Sequence, residues 1–262
     1  SFFTGGVDSF YTFLKRQQEV DALIFVHGFD VPLDDRALRS TVSHRLGRVA
    51  EAYDTKFIEV ETTLRDVTDR ERMTPEFHNW ELSHGSALAS VAHALSGEFD
   101  RIYIPATHTY SNIYPFGSHP LLDPLWSSAS LDLVQDGCEA GRIEKCGLIA
   151  QHDRALRALR VCWKNPEGTY NCGRCEKCMR TMLILKSIGV LDRCRTFNED
   201  LTPRDIAGIY VREKRRERYY EAVLKRLRQA GKNQKMRRAI KVALCYSRLK
   251  RGARGMLQWM LN

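Results

Sequence analysis

The stretch that decides the fold opens the chain and reads Ser1-Phe2-Phe3-Thr4-Gly5-Gly6-Val7-Asp8-Ser9. Two phenylalanines suit the end of a buried strand, and two adjacent glycines suit a tight turn. An amphipathic stretch near Ser9–Gln18 then predicts a helix. The sequence starts without Met inside the apolar segment, so we expect the strand to begin further upstream. A strand, a glycine turn and a helix N-terminus together predict an anion site, because backbone N–H groups and the helix dipole attract negative charge.

The polar side chains of this loop suit a nucleotide phosphate. The hydroxyls of Thr4 and Ser9 can donate to phosphate oxygens, and Asp8 can hold a Mg²⁺ ion that bridges the phosphates. An ordinary turn, capped by Asp8 or Ser9 at a helix N-terminus, is the alternative. The loop is not a Walker loop, because no Gly-Lys-Ser/Thr follows the glycines, and no Gly-x-Gly-x-x-Gly is present.

Short apolar runs alternate with amphipathic stretches up to about residue 165. Candidate strands are Ala22–His27, Lys56–Val60, Arg101–Pro105, Leu131–Val134 and Leu159–Trp163. Candidate helices lie near Asp34–Tyr53, Leu82–Ser96, Gly141–Ala150 and Glu176–Gly189. Strands separated by helices favour βαβ units. We therefore predict an α/β fold with a doubly wound, mostly parallel sheet.

Charge is distributed unevenly along the 262 residues. The chain has 41 Lys/Arg and 32 Asp/Glu, but residues 203–262 alone contain 18 Lys/Arg and 4 Asp/Glu. A hydrophobic share of 43% supports a sizeable core, and no apolar run approaches the ~20 residues that span a bilayer. We expect a cytoplasmic protein with a domain over 1–202. Residues 203–262 should form a basic extension of two or three helices, broken at Gly231 and Gly252.

Four of the eight cysteines are close together in the sequence, at Cys162, Cys172, Cys175 and Cys178. Thiolates at this spacing suit a tetrahedral Zn²⁺ ion. A closed site of this kind is structural, and it would pin the loop between a strand and a helix. An iron–sulfur cluster is the main alternative, and reduced cysteines without a metal are another.

Both motifs resemble those of the N-type ATP pyrophosphatases. Residues Thr4–Ser9 resemble the Ser-Gly-Gly-x-Asp-Ser pyrophosphate loop of that superfamily, with Thr4 in place of the usual serine. A strand-terminal Cys followed by Cys-Gly-x-Cys-x-x-Cys resembles the 7-cyano-7-deazaguanine synthase-like proteins, over about residues 1–190. The resemblance implies an adenine nucleotide alpha-hydrolase-like fold and structural zinc at the cysteines.

The activity that the resemblance implies is ATP-dependent ligation. ATP is cleaved between its α- and β-phosphates, AMP is attached to a carboxylate or carbonyl oxygen of the substrate, and a nitrogen nucleophile such as ammonia displaces it. Asp8 and Ser9 are the candidate catalytic residues. The candidate ATP-binding residues are Thr4, Gly5, Gly6, Val7, Asp8, Ser9, His84 and Gly85. The last two begin a small-residue helix that allows close approach to a nucleotide, or equally to the sheet.

A polar and aromatic segment follows the predicted strand Arg101–Pro105, at the edge of the sheet where α/β proteins bind ligands. The candidate residues for a small-molecule substrate are Ser118, His119, Asp123, Trp126 and Lys145. Trp126 would offer a stacking surface, and Lys145 matches a basic helix-opening segment of the family. The Asp- and Tyr-containing loop of the deazaguanine enzymes does not map onto this segment, so the substrate stays open. A packed surface loop is the alternative.

The basic extension predicts an RNA or anionic-surface partner, whereas solvated or internally paired charges are the alternative. A second functional hypothesis is sulfur transfer to tRNA, with a persulfide on one of the spare thiols Cys138, Cys146 and Cys194. A third is a non-catalytic nucleotide- or RNA-binding module. A homodimer is a further candidate assembly.

Overall fold

A computed structural model describes residues 1–69, 80–231 and 233–261. The strands are β1 (Ala22–His27), β2 (Lys56–Glu61), β3 (Arg101–Pro105) and β4 (Asp132–Asp136). The helices are α1 (Val7–Lys15), α2 (Arg36–Ala52), α3 (Leu64–Asp69), α4 (Trp80–Ala94), α5 (Arg142–Ile149), α6 (Asp153–Ala158), α7 (Glu176–Ile188), α8 (Pro203–Ala207), α9 (Glu217–Gln229) and α10 (Gln234–Leu261). Short 3₁₀ turns connect several of them.

The chain divides into two compact units, Ser1–Tyr170 and Asn171–Asn262. The boundary between the units, after Tyr170, is earlier in the chain than the predicted boundary at residue 202. The reason is that α7 packs against α9 of the basic extension. None of the helices in the described ranges has the length and apolarity needed to cross a membrane.

The strands of the first unit pair in parallel, β1 with β2 and β3 with β4, in register along their whole length. The α/β class is therefore confirmed. All six residues of β1 are buried, as expected for an apolar strand that is covered on both faces. Small residues of α4 pack on the same core, which contains Ile24, Val26, Ala89, Ala92, Ile102 and Leu133.

The residues before the glycine loop form hydrogen bonds with both strand pairs. The amide of Phe3 donates to the carbonyl of Ile24 in β1 at 2.7 Å, and the amide of Phe2 donates to Tyr103 of β3 at 3.0 Å. Phe2 pairs with Ile24 in parallel. Because the chain runs in the same direction as β1, Thr4 and the glycines follow at the edge where the strands end.

Two predictions of local structure are wrong. Leu159–Trp163 is not a strand; the amide of Arg160 donates instead to the carbonyl of Gly5, at 2.7 Å. Helix α10 continues through Gly252. An exposed glycine costs a helix only about 1 kcal/mol relative to alanine, which is too little to break a helix that buries one face.

The helical extension itself is confirmed within the described residues. Gly231 lies between α9 and α10 and has a φ of +64°. This left-handed backbone conformation favours glycine. The two helices bury apolar side chains at helical spacing, including Tyr220, Val223, Leu227, Ile240 and Ala243. Most of the basic side chains that the structure describes in these two helices are exposed, as the sequence pattern predicts.

Gly85 should be essential to the packing of α4. A Cβ at this position would lie 1.8 Å from the carbonyl oxygen of Gly117. Gly85→Ala should lower the free energy of unfolding by about 1–3 kcal/mol through overpacking, despite the better helix propensity of alanine. The measurement is urea unfolding followed by circular dichroism.

Gly252 provides the matched control. A Cβ there meets no atom within 4 Å, so Gly252→Ala should raise the free energy of unfolding, by up to ~1 kcal/mol. A Gly85→Ala variant as stable as the original chain would contradict the close contact between α4 and Gly117.

Candidate functional site

The loop Thr4–Ser9 is closed by its own hydroxyls. The Ser9 hydroxyl donates to the Gly6 carbonyl at 3.2 Å and accepts from the Thr4 amide at 3.3 Å. The hydroxyl oxygens of Thr4 and Ser9 are 3.5 Å apart. Gly5 has a φ of +70°, and a Cβ there would lie 2.7 Å from the Leu46 side chain. Both the turn and the packing therefore require glycine at this position.

The loop leads directly into α1, which begins at Val7. Gly6 precedes the helix, and no side chain caps it. Uncapped N–H groups in the first turn of a helix are hydrogen-bond donors for an anion, and the helix dipole favours the negative charge. This geometry is compatible with the predicted anion site, which stays a prediction.

Two cations from α5 hold Asp8. Arg142 Nη1 lies 3.1 Å from Asp8 Oδ2, and Lys145 Nζ lies 3.0 Å from Oδ1. The side chains are 8%, 2% and 19% exposed for Arg142, Lys145 and Asp8. Each carboxylate oxygen therefore has a cation beside it, and the carboxylate holds two positive charges next to the glycine loop. The expected role of Asp8 as a Mg²⁺ ligand stays a prediction.

Lys145 connects the loop to the ends of two strands. Its ammonium group donates to the carbonyl of Ala106, the residue after β3, at 2.6 Å. A Cβ on Gly137, which follows β4, would lie 3.3 Å from the same nitrogen. The ring of Tyr11 lies 5.5 Å from it. Lys145 was predicted as a substrate residue and Asp8 as a catalytic residue, and the structure brings the two together at the carboxyl edge of β3 and β4.

Sequence reasoning assigned no role to Arg160. This side chain is 3% exposed, and its amide bonds to Gly5 in the loop. Its Nη2 lies 3.3 Å from Asn165 Oδ1, whereas its Nε has no hydrogen-bond partner among the described residues. Arg160 therefore has a buried guanidinium with an unsatisfied N–H close to the glycine loop. Such a group is a candidate to bind the predicted anion. The signal in the sequence is a basic residue inside an apolar run, two positions before Cys162.

Asp123 organises the loop that follows β3. Its carboxylate accepts hydrogen bonds from the Ser118 hydroxyl at 2.7 Å, from Gln135 Nε2 at 2.9 Å and from the His119 amide at 3.1 Å. Burial raises the pKa of the Asp123 carboxyl, and these three hydrogen bonds act in the opposite direction. Gln135 belongs to β4, so Ser118 and Asp123 fix the loop to that strand. Their polar groups are directed to each other and to Gln135.

Trp126 is the exposed member of the predicted substrate set, whereas His119 is half-buried. His119 Nδ1 accepts from the amide of Leu121 at 3.1 Å. The backbone oxygen of Trp126 lies 2.7 Å from His93 Nε2, and its side chain is 46% exposed. Trp126 therefore keeps an accessible indole surface, which is what a stacking role requires.

His84 and Gly85 contact the same loop. His84 Nδ1 lies 3.0 Å from the carbonyl oxygen of Trp80, and its ring packs edge-on against Phe116 with centroids 4.5 Å apart. The close approach that Gly85 permits is to the backbone of Gly117, and not to the sheet. The expected contact of His84 and Gly85 with ATP stays a prediction.

The four cysteines of the predicted metal site converge. The sulfur atoms of Cys162, Cys172, Cys175 and Cys178 all lie within 4.8 Å of one another. Backbone amides surround them: those of Cys175 and Cys178 lie 3.3 and 3.4 Å from the sulfurs of Cys172 and Cys175. Cys175 caps α7, whose N-terminal dipole favours thiolate charge.

This donor set fits a metal ion. Four thiolates around a tetrahedral Zn²⁺ with bonds of about 2.3 Å are about 3.8 Å apart, and the sulfurs of Cys172 and Cys178 are 3.9 Å apart. Two of the four cysteines are buried and two are half-buried. The cluster is therefore compatible with zinc, and no ligand position is left for a substrate in a four-thiolate site.

Comparison with protein-family models found no match. Comparisons with the curated proteins and with the solved structures also found none.

The four-cysteine cluster predicts the metal content of the purified chain. The purified chain should contain about one zinc ion, measured by inductively coupled plasma mass spectrometry. Cys175→Ser should abolish binding and lower the free energy of unfolding by at least ~3 kcal/mol, because metal binding is coupled to folding. Cys245→Ser, at an exposed cysteine outside the cluster, is the matched control. Several irons per chain with acid-labile sulfide would contradict zinc.

His84 should titrate below its ordinary range. Burial lowers the pKa of its imidazole from the ordinary value of 6.5. As pH falls below about 6.5, the unfolded chain binds a proton that the folded chain excludes, so stability should decrease, by at most ~1.4 kcal/mol per pH unit. The measurement is an NMR titration of the histidine C2 protons, with His84→Gln to assign the resonance. A midpoint at or above 6.5 would contradict the burial.

Proposed function

We propose that this protein is an ATP-dependent ligase that forms AMP and pyrophosphate. It attaches AMP to a substrate carboxylate, and a nitrogen nucleophile then displaces the AMP. The observation that carries the proposal is the glycine loop at the uncapped start of α1, with Arg142 and Lys145 held beside it by Asp8. Backbone N–H groups and buried cations are the groups that hold a polyphosphate.

The bonds of Phe2 and Phe3 support the doubly wound arrangement. They connect the two strand pairs through residues 1–3, in the order β2, β1, residues 1–3, β3, β4. In such a sheet the strand order reverses at the central strand, and ligands bind outside the carboxyl ends at this point. The glycine loop follows residues 1–3 directly, so ATP would lie at that crevice.

Each group has a role in this scheme. The loop amides and the hydroxyls of Thr4 and Ser9 bind phosphate oxygens. Lys145 and Arg142 stabilise the charge that develops as pyrophosphate leaves, and Asp8 orients them. Arg160, whose amide bonds to Gly5 of the loop, provides a third cation.

The reaction needs no nucleophilic side chain. An oxygen of the substrate carboxylate forms a bond with the α-phosphorus, and the bond between that phosphorus and the bridging oxygen of the β-phosphate breaks. Pyrophosphate leaves with the electron pair. Ammonia then attacks the acyl carbon, AMP departs, and the nitrogen loses a proton. Trp126 and His119, on the loop after β3, are the groups proposed to contact the activated substrate.

The metal cluster supports the same site from outside it. Zn²⁺ would hold the thiolates of the cluster, and the short separation of the Cys172 and Cys178 sulfurs suits a single ion better than an iron–sulfur cluster. Cys162 is two residues from Arg160. Asn165 contacts both residues: its side chain lies against Arg160, and its backbone N–H donates to Cys162 Sγ at 3.4 Å. The metal would therefore immobilise Arg160 beside the glycine loop.

Sulfur transfer is less well supported than nitrogen transfer. A persulfide carrier needs a thiol that readily becomes a thiolate. Burial raises the pKa of Cys138 and that of Cys194, and Cys146 is fully buried. These environments weigh against all three spare thiols.

The products of ATP turnover test the proposal. ³¹P NMR of the full-length chain with ATP, ammonium and a panel of carboxylic acids should show AMP and pyrophosphate in equal amounts. ADP and phosphate would place the cleaved bond elsewhere and contradict the assignment. A chain that binds ATP but turns over no member of a broad panel would favour the binding-module hypothesis.

Two variants test the residues. Lys145→Met and Asp8→Ala should each weaken ATP binding at least about tenfold, measured by calorimetry, and reduce AMP formation by about 100-fold or more. Lys56→Met, at an exposed position of β2, is the matched control and should change neither. Circular dichroism checks that each variant is folded. Unchanged turnover in both site variants would show that the glycine loop is not the catalytic site.

A further inference from the structure

Helix α10 has a second apolar face that points away from its own unit. Its inner face buries Ile240, Ala243 and Leu244. On the opposite face, Val242 is 54% exposed and Leu249 is 70% exposed. These two positions are seven residues apart, so they share one side of the helix.

Tyr246 completes the exposed apolar row. It lies between Val242 and Leu249 in the sequence and is 42% exposed. Its hydroxyl accepts a hydrogen bond from Lys250 Nζ at 2.9 Å, so the ring is apolar on its face and polar at its tip. A tyrosine of this kind beside exposed aliphatic groups is typical of a boundary between apolar and aqueous phases.

A groove of about 540 Å³ runs beside this row, between α9 and α10. Its lining includes the buried side chains of Leu224 and Leu244. Four cations also line it, at Lys225, Arg228, Lys241 and Arg248. The single acidic residue of the lining, Glu221, pairs with Arg248 at 3.0 Å. The groove therefore keeps a positive excess over an apolar floor.

Three of the four groove cations have no ion pair within the described residues. The fourth, Arg248, is neutralised locally by Glu217, which also accepts from Arg251 outside the groove. Lys225, Arg228 and Lys241 lie among exposed positions and contact no carboxylate in the described ranges. A ligand for this surface therefore has to supply negative charge as well as an apolar phase.

We propose that this face of α9 and α10 binds the surface of a bilayer that contains anionic phospholipid. The helix would lie in the plane of the membrane, with Val242, Tyr246 and Leu249 in the headgroup–acyl boundary. Lys225, Arg228 and Lys241 would contact lipid phosphates. Exposed apolar residues flanked by basic ones are the pattern of an interfacial helix, and each basic residue near an anionic surface adds attraction.

Two other occupants match the surface less well. RNA would satisfy the cations, but it provides no apolar phase for the aliphatic side chains of Val242 and Leu249. A second copy of the chain would bring the same surface against itself across a two-fold axis. Lys225, Arg228 and Lys241 would then face like charges, so a dimer through this face is disfavoured.

Vesicle co-sedimentation of the full-length chain tests the proposal. Vesicles of phosphatidylcholine with phosphatidylglycerol should bind the chain at least about tenfold better than vesicles of phosphatidylcholine alone. Val242→Glu with Leu249→Glu should reduce binding at least about tenfold, because the apolar contribution is lost. Lys225→Glu with Lys241→Glu should reduce it by a similar factor and weaken its salt dependence.

Matched controls use residues of equal character elsewhere. Leu121→Glu with Leu125→Glu changes two leucines that are 70% and 77% exposed on the first unit, and vesicle binding should stay within about twofold of the original. Vesicle binding that survives Val242→Glu with Leu249→Glu would overturn the proposal. So would an original chain that binds RNA tightly and ignores anionic vesicles. Neither readout involves ATP, so the result is independent of the proposed ligase activity.

Discussion

The ion pairs of Asp8 with Arg142 and Lys145 connect the parts of the first unit that form the site. Asp8 belongs to the first turn of α1, and both cations belong to α5. Lys145 is almost fully buried, and a buried ammonium is tolerated only where a charge partner and further hydrogen bonds compensate for lost hydration. Asp8 and the carbonyl of Ala106 provide them. Lys145 therefore holds the glycine loop and the end of β3 together. Removing the charge of Asp8 or of Lys145 would leave the other charge uncompensated.

A second constraint acts on the glycine loop at Gly5. Arg160 bonds to Gly5 through its backbone and to Asn165 through its guanidinium. The segment then continues into Cys162 and the four-cysteine cluster. A metal at the cluster would fix this segment without taking part in chemistry, because a closed tetrahedral site has no open position. The two constraints together explain how positive charge can be concentrated around a loop that has only one carboxylate of its own.

Much of the fold could be predicted because its signals are local. The alternation of apolar runs with amphipathic stretches depends on neighbours a few residues away, and it predicted β1 to β4 and most helices. Leu159–Trp163 was assigned wrongly, because a short apolar run suits a strand or an extended segment equally. Only the bond from Arg160 to Gly5 distinguishes the two. Gly252 was assigned wrongly for a similar reason, since the packing of α10 outweighs a small local cost.

The sequence by itself determined the glycine loop, the cysteine set and the separation of a basic extension from a mildly acidic remainder. These features depend on residue type and spacing within short segments. Only the tertiary structure decided that Asp8 lies against two cations, that Gly85 meets Gly117, and that Arg160 lies beside the loop. Each of these contacts joins residues far apart in the chain or depends on which face of a segment is buried. Sequence spacing contains no information about such partners, because they are selected by the packing of whole elements.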